Sequence, residues 1–575
     1  MDKPSIAAVV IGAAALVAWY SFAPNFVGQT QNAPAAPVVQ QSTAVTAPAA
    51  PAAPAAPAAA AKPAVPAVKA LPLITIKSAG GTYSIQPVSG TIEKITLNDK
   101  FLKKDRSGGL EIVNEFPALT NSIAEYGALG LRSDRSPLTV VKVLQSQQIN
   151  DQEYLLVRQL RDAAGNTFNV SSRYKVVNDY QLQLSMNIYN PSNKTLVIPE
   201  LAVSGGDLQQ WCKLSGDQRS NAQEIHTVEY CTLSGKVKSE EVNSDENDWA
   251  ELSDKTVRWA GVTNRFFAQL LRCNEPVKMQ MARVEDPSGS EEFSVNNSAI
   301  LNSFTLNARS GREFTFDYYM GPKQPKALRA FDPEASEVMH LGWFPIDFLA
   351  YIMLAILNWL YGFVGSFGWS IILLTLLIRT IFFPVTMKAN ASMREMQALS
   401  PKLKEIREKY KDEPMVAQTK MSELYREHHV NPLGGCLPML IQIPVFIALY
   451  YALGSASELR QQSFWWINDL AQPDTVAHVF GLAINPLIIV WTLLMVVQQK
   501  LTPTAMDPMQ AKVMLAMPLV MLFILYSLPS ALTLYWSVSQ IFSIAQMMYQ
   551  NKVKQREDAK RQSAEKGDKP RTVRS

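Results

Sequence analysis

Ile371-Ile372-Leu373-Leu374-Thr375-Leu376-Leu377-Ile378-Arg379-Thr380-Ile381-Phe382-Phe383, closed by Pro384, is an apolar run with a single charge inside it. Extended back to Phe367 it reaches a length near the lower limit for a helix crossing a bilayer. A charge near the bilayer centre costs about 2.5–3.5 kcal/mol on insertion scales, so such residues normally face protein interior or a watery cavity. Snorkelling is the other reading: at about 1.5 Å per residue, Arg379 lies roughly 7 Å from Pro384. Either way the segment belongs in a membrane.

Further runs of spanning length follow at Cys436–Leu453, Val479–Gln499, Val513–Leu528 and Leu532–Tyr549. Two segments between and beyond them are basic. Pro384–Leu433 and Asn551–Ser575 carry nine Lys/Arg each, and an excess of Lys/Arg marks the cytoplasmic side. The Gly454–Ala477 connection has Arg460 as its one basic residue and belongs outside. Trp343–Val364 is also apolar, but a crossing there would put the basic 384–433 segment outside. It therefore reads as an amphipathic helix lying in the outer interface, where its Trp and Tyr suit the headgroup region.

The N-terminal part fits this topology. Ile6–Phe22 is uncharged, longer than the apolar core of most signal peptides. Ser21-Phe22-Ala23 resembles a cleavage site, but Pro24 would obstruct the peptidase, so a retained anchor is expected. From Gln31 to Ala70 the chain holds 18 Ala and 8 Pro, an extended, semi-rigid tether. Leu71–Leu341 then alternates like many short strands, as in Leu73–Ile76, Tyr154–Val157 and Gln181–Leu184, punctuated at Asn98-Asp99, Ala164–Asn166 and Asn190–Asn193. That pattern reads as an exported β-sandwich. Cys212 and Cys231 could pair in an oxidising compartment, leaving Cys273 over.

The expected fold is an α-helical polytopic membrane protein with six spans, a large all-β sandwich domain and a cytoplasmic helical hairpin. Its divisions are the anchor 1–23, linker 24–70, β domain 71–342, interfacial helix 343–366 and second span 367–383. The hairpin 384–433, spans 436–453, 479–499, 513–528 and 532–549, and basic tail 550–575 complete the chain. Both termini face the cytoplasm. In the hairpin Ser400-Pro401 restarts the first arm, with Ser as cap, and Asp412-Glu413-Pro414 breaks the chain before the second. His428-His429 point in different directions on a helix and lack a ligand cluster, so no metal is expected.

These zones explain why the averages are bland. Charged residues make up 18% and mean hydropathy is −0.01, against about 25% charged in a typical soluble domain. Aromatic content excludes disorder, four Cys exclude a disulfide scaffold, and a net charge of +4 does not argue for DNA binding. No catalytic dyad or paired carboxylates appear, so neither an enzyme nor a cofactor is expected.

Polar residues recur on several spans. Thr375 lies one turn before Arg379, Gln442 sits between Pro438 and Pro444, and Thr533, Ser537 and Gln540 stripe the last span beside Tyr535 and Trp536. Such stripes also serve as glue between helices; with an arginine among them, a shared hydrated groove is favoured.

Asn431-Pro432-Leu433-Gly434-Gly435-Cys436-Leu437-Pro438, Glu458-Leu459-Arg460, Trp466-Ile467-Asn468-Asp469-Leu470, Asp507-Pro508-Met509-Gln510 and Leu528-Pro529-Ser530, in this order of domains, resemble the bacterial YidC membrane protein insertase family of Gram-negative type. The resemblance covers essentially the whole chain. It implies a five-helix core in the inner membrane, a periplasmic β domain, and a hydrophilic groove open to cytoplasm and lipid. It assigns the groove arginine to Arg379, with Thr375, Tyr535 and Trp536 as groove positions; relatives often have Tyr where Trp536 stands. It further implies insertion and folding of nascent membrane proteins, alone or with the Sec translocon. Ribosomes or targeting factors, and membrane lipids, would meet the hairpin and basic tail. A solute transporter and a membrane-anchored glycan-binding protein are the rival readings; no internal repeat supports the first.

Overall fold

The computed structural model describes residues 71–98, 110–113, 127–133, 136–208, 227–241, 255–285, 293–428, 430, 437–480, 482–501 and 508–567. The anchor, the linker, Cys212, residues 431–436 and the last eight residues of the basic tail lie outside them.

Strict alternation builds the β domain. Thr167–Asn178 buries every second side chain from Phe168 to Val176, the pattern of a strand with one face on a core. Thr139–Asn150, Glu153–Arg161, Thr167–Asn178 and Gln181–Tyr189 follow one another as antiparallel hairpins, and Gly165 turns one of them with φ +89°. They belong to a twelve-stranded sheet. The 19-residue strand Phe267–Glu285 organises its other half, pairing Gly311–Pro322 along its first part and Phe293–Leu301 along its second. A four-stranded sheet from Ile74 to Val113 packs against it. There the Tyr174 hydroxyl donates to the Gly90 carbonyl, and the Arg158 guanidinium donates to that of Ser89. Cys231 and Cys273 are buried with free thiols.

The chain leaves this domain through α1 (Pro325–Phe331) and a 3-10 turn, Pro333–Met339. Both are clamped. Asp332, 3% exposed, accepts from Arg258 and from Arg272, and Arg272 also reaches Asp317 at 2.7 Å. His340 meets the buried Glu229 at 2.6 Å.

The remaining helices are α2 (Ile346–Val364), α3 (Phe367–Ala398), α4 (Ser400–Lys409), α5 (Pro414–Glu427), α6 (Leu437–Ser455), α7 (Pro486–Leu501), α8 (Pro508–Ile524) and α9 (Ser530–Gly567). Several boundaries differ from those expected. Pro384 does not end a helix: α3 continues through it into the hairpin, and the Thr386 hydroxyl reaches the Phe382 and Phe383 carbonyls at 3.2 and 2.9 Å. Hydroxyl side chains of this kind help a membrane helix tolerate an internal proline. The helix expected from Val479 starts at Pro486, because Ala477–Val479 and Leu482–Ile484 pair as a short hairpin. Asp474 caps it, accepting the Leu487 N–H at 2.7 Å. The run expected over 513–528 is α8 at Pro508–Ile524, and α9 runs from Ser530 into the basic tail without a break. Ser400 lies in the first turn of α4 and not at its cap, which is Leu399.

Leu399, Leu403, Leu424 and Val430 form the core of the hairpin, with Met421 and Tyr425 against it. On α2, Ile346, Ala350, Met353, Leu354 and Leu357 are buried, yet Phe348, Ile352, Trp359 and Phe363 on the outward face are apolar as well. Among the described residues, two helices are long and apolar enough to cross a membrane, 346–364 and 367–392. Length and composition therefore admit α2, read as interfacial, on equal terms with α3.

The connection from α6 to α7 plugs the outer end of the helices. Asp469 accepts the N–H groups of Gln461 and Ala471, both at 2.8 Å. Arg265 of the β domain donates to the Gly454 and Ala471 carbonyls at 3.0 and 3.2 Å, and Ala531 at the start of α9 donates to the Leu470 carbonyl at 2.9 Å. A single apolar core runs continuously from the β domain into the helices.

Candidate functional site

Three helices meet at Arg379. It lies on α3, facing Gln442 and Val445 of α6 and Tyr535 of α9 across a cavity of about 20 Å³ that Ile378 and Phe382 close with apolar surface. Such a volume holds about one water. The Arg379 Nε donates to the Ser539 Oγ at 2.8 Å, and a terminal guanidinium nitrogen donates to the same oxygen. The Tyr535 side chain is in hydrogen-bonding reach of Gln442 and Ser539. Among the described residues, no carboxylate lines the cavity. A positive charge is thus held among neutral dipoles in a half-dry space, where its pull on an incoming anion exceeds that at a wet surface.

Arg379 is the first rung of a ladder between α3 and α9. Gln546 donates to Thr386 at 2.9 Å and Asn390 to Gln550 at 3.2 Å. Every pair is 160 residues apart. A constant difference in number, rather than a constant sum, means that the two helices run parallel.

Of the residues expected in a groove, Arg379, Gln442 and Tyr535 come together. Thr375, Thr533 and Ser537 do not. All three are buried, and each hydroxyl donates to the carbonyl four residues earlier on its own helix, at 2.7, 3.3 and 2.9 Å. Small residues satisfied in this way let helix backbones approach, which is the packing role. Trp536 turns the other way, stacked on Phe446 of α6 with ring centroids 5.2 Å apart and beside Trp491 of α7 at the same distance. Gln540 pairs with Gln498 of α7. Ser539, Thr386, Asn390, Gln546 and Gln550 were missed. Their signal was present: Tyr535, Ser539, Gln546 and Gln550 recur at steps of four and seven and so share one helix face.

The 60Kd inner membrane protein family matches residues 359–558, and the YidC periplasmic domain family matches residues 73–356. The membrane protein insertase YidC of Pelobacter propionicus is 34% identical over 68% of this chain and 70% of its own length. That of Geobacter sulfurreducens is 39% identical over 51% of this chain, which spans about half of that relative. A crystal structure of an active YidC insertase overlaps 83% of this chain and 92% of its own at 19% identity, with a TM-score of 0.33; assignment rests on the sequence matches. These matches make residues 73–356 the periplasmic domain and the helices an inner-membrane core, and they lend nothing to a transporter or a glycan binder. The chain belongs to the YidC family of membrane protein insertases.

Proposed function

We propose that the chain inserts nascent membrane proteins by offering the Arg379 pocket to the polar flank of a client helix. The convergence of Arg379, Gln442 and Tyr535 in a space that no described carboxylate lines supports this reading. At about one water in volume the pocket is too small for a client flank, so a client enters only as α3, α6 and α9 part on the cytoplasmic side. The plug around Asp469 and Ala471 holds the outer ends together meanwhile. An acidic residue in the client's flank gains attraction to Arg379, and its apolar helix leaves sideways into lipid, driven by burial of apolar surface. No step requires a nucleotide, a metal or covalent chemistry.

The topology that goes with it has six spans and cytoplasmic termini. Parallel α3 and α9 lead into the two basic segments, which therefore share a side, and Lys/Arg-rich segments belong in the cytoplasm. Placing α2 in the outer interface preserves that arrangement. The hairpin and tail would face ribosomes, targeting factors or anionic lipid, and the Sec translocon would join laterally. A photo-crosslinkable residue at Gln442 or Val445 should capture a stalled nascent membrane protein, while one at Trp491, on the far side of Trp536, should not. Equal capture at both would remove the pocket from the client's path.

A further inference from the structure

A second cavity lies at the outer end of the helices, away from Arg379. It measures about 760 Å³ and is bounded by α1, by α2, by the start of α3 and by the turn that carries Glu458. That is within the range that holds a small ligand. Lys326 and Arg329, three residues apart and so on one face of α1, line one wall. Phe348, Tyr351 and Ile352 of α2 line another, and Glu458 joins them.

The charges in this cavity are incompletely met. Arg329 donates its Nε to Ser336 at 3.3 Å and sits 5.1 Å over the Tyr351 ring, and among the described residues it joins no ion pair. Among the described residues Lys326 joins no ion pair. Glu458 accepts one long contact from the Ser457 hydroxyl at 3.4 Å, and burial raises its carboxyl above the usual carboxylate range. The apolar wall continues outward: Phe348 and Ile352 are exposed on the same face of α2 as Trp359 and Phe363. An occupant must therefore carry an anion, a cation and an apolar body together.

We infer that this cavity binds one phospholipid of the outer leaflet with a primary-amine head group. Its phosphate lies between Lys326 and Arg329, its ammonium donates to Glu458, and its acyl chains run along Phe348 and Ile352. A guanidinium with a neighbouring ammonium suits phosphate oxygens. A bound ammonium offsets the burial that disfavours the charged form of Glu458, and the carboxylate it holds accepts but does not donate, so the site favours a primary ammonium over a quaternary one, which has no N–H. The bound lipid would tie the β domain's exit helix to α2 and to the plug. This inference shares with the insertase reading only the placement of α2 against lipid, so its failure leaves the Arg379 pocket untouched.

The test is lipid retention by the purified full chain, measured by native mass spectrometry after delipidation. Phosphatidylethanolamine, phosphatidylcholine and phosphatidylglycerol are added in turn at equal concentration. Unmodified protein should retain the ethanolamine lipid about tenfold better than the choline lipid. The double variant Lys326→Ala with Arg329→Ala should lose that retention, and Arg329→Lys should keep most of it. Glu458→Gln should bring the preference for ethanolamine over choline close to one. Equal retention of all three lipids by unmodified protein, a comparison that needs no variant to fold, would reduce the site to general lipid contact and overturn the inference. So would release of the lipid by millimolar inorganic phosphate, which would mark a site for a free anion, or a tighter hold on the glycerol lipid.

Discussion

Arg379 and Ser539 are joined by a 2.8 Å hydrogen bond across 160 residues of sequence, the separation that also divides Thr386 from Gln546 and Asn390 from Gln550. Two helices in parallel register thus carry the arginine at one level and a threonine–glutamine and an asparagine–glutamine pair further along. Both are longer than a bilayer core: at about 1.5 Å per residue the 32 residues of α3 and 38 of α9 far exceed about 30 Å. Their paired extension carries the polar ladder out toward the basic segments.

That register sets a crosslinking pattern. Thr386→Cys with Gln546→Cys should form a disulfide under mild oxidation in membranes, whereas Thr386→Cys with Ser539→Cys, about two turns out of step, should not. Efficient crosslinking of the second pair would mean that α9 slides or runs at another register.

Gly368 faces Phe464 so closely that a Cβ there would lie 2.2 Å from the ring. Gly368→Ala must push Phe464 away from Trp369 and loosen the outer plug. Overpacking of this kind costs about 1–3 kcal/mol, and a thermal melt of the detergent-solubilised chain should show it. An unchanged melting temperature would place Phe464 elsewhere.

Asp332 is the hub of the exit segment, buried between Arg258 and Arg272. Asp332→Ala removes the shared partner, but Arg258 keeps Glu334 and Arg272 keeps Asp317, so the cost is that of lost charge-assisted hydrogen bonds, about 1.5–3 kcal/mol. Protease sensitivity around 325–345 should rise with that loss. Resistance equal to that of unmodified protein would show that the segment is held by its apolar contacts alone.

Lys323 gives the β domain a pH signature. Burial pushes its ammonium from 10.5 down to about 8, against the opposing pull of Glu229. Between those values the unfolded chain binds more protons than the folded one, so stability rises as pH climbs from about 8 to 10.5, by roughly 3 kcal/mol. Lys323→Met removes that rise: it should be the more stable protein near pH 7 and lose its advantage by pH 10.5. A melting-temperature difference that stays constant across this range would assign the titration to another group.

Much of this architecture was legible from local pattern. Alternation over Tyr154–Val157 and Gln181–Leu184 located strands, because a sheet with one wet face repeats every two residues. The charge of Arg379 inside Ile371–Phe383 located the pocket, because an uncompensated intramembrane charge needs a protein partner. Long-range geometry was less legible. Nothing local told that Thr375, Thr533 and Ser537 would satisfy themselves on their own helices, and the face that Ser539 shares with Tyr535 and Gln546 did not name the arginine as its partner. The start of α7 at Pro486 was hidden for a related reason: a short apolar strand pair and an apolar helix turn look alike until the hairpin closes.

In the proposed mechanism the charge at Arg379 draws an acidic client flank into the pocket. Insertion of purified clients into vesicles carrying the reconstituted chain tests it, comparing unmodified protein, Arg379→Ala and Arg379→Glu with client flanks that are acidic or neutral. Arg379→Ala should slow insertion of the acidic-flank client about tenfold, equivalent to about 1.4 kcal/mol, Arg379→Glu should slow it further, and the neutral-flank client should change little. Equal insertion of the acidic-flank client by all three proteins, each shown to be folded and reconstituted, would contradict the account.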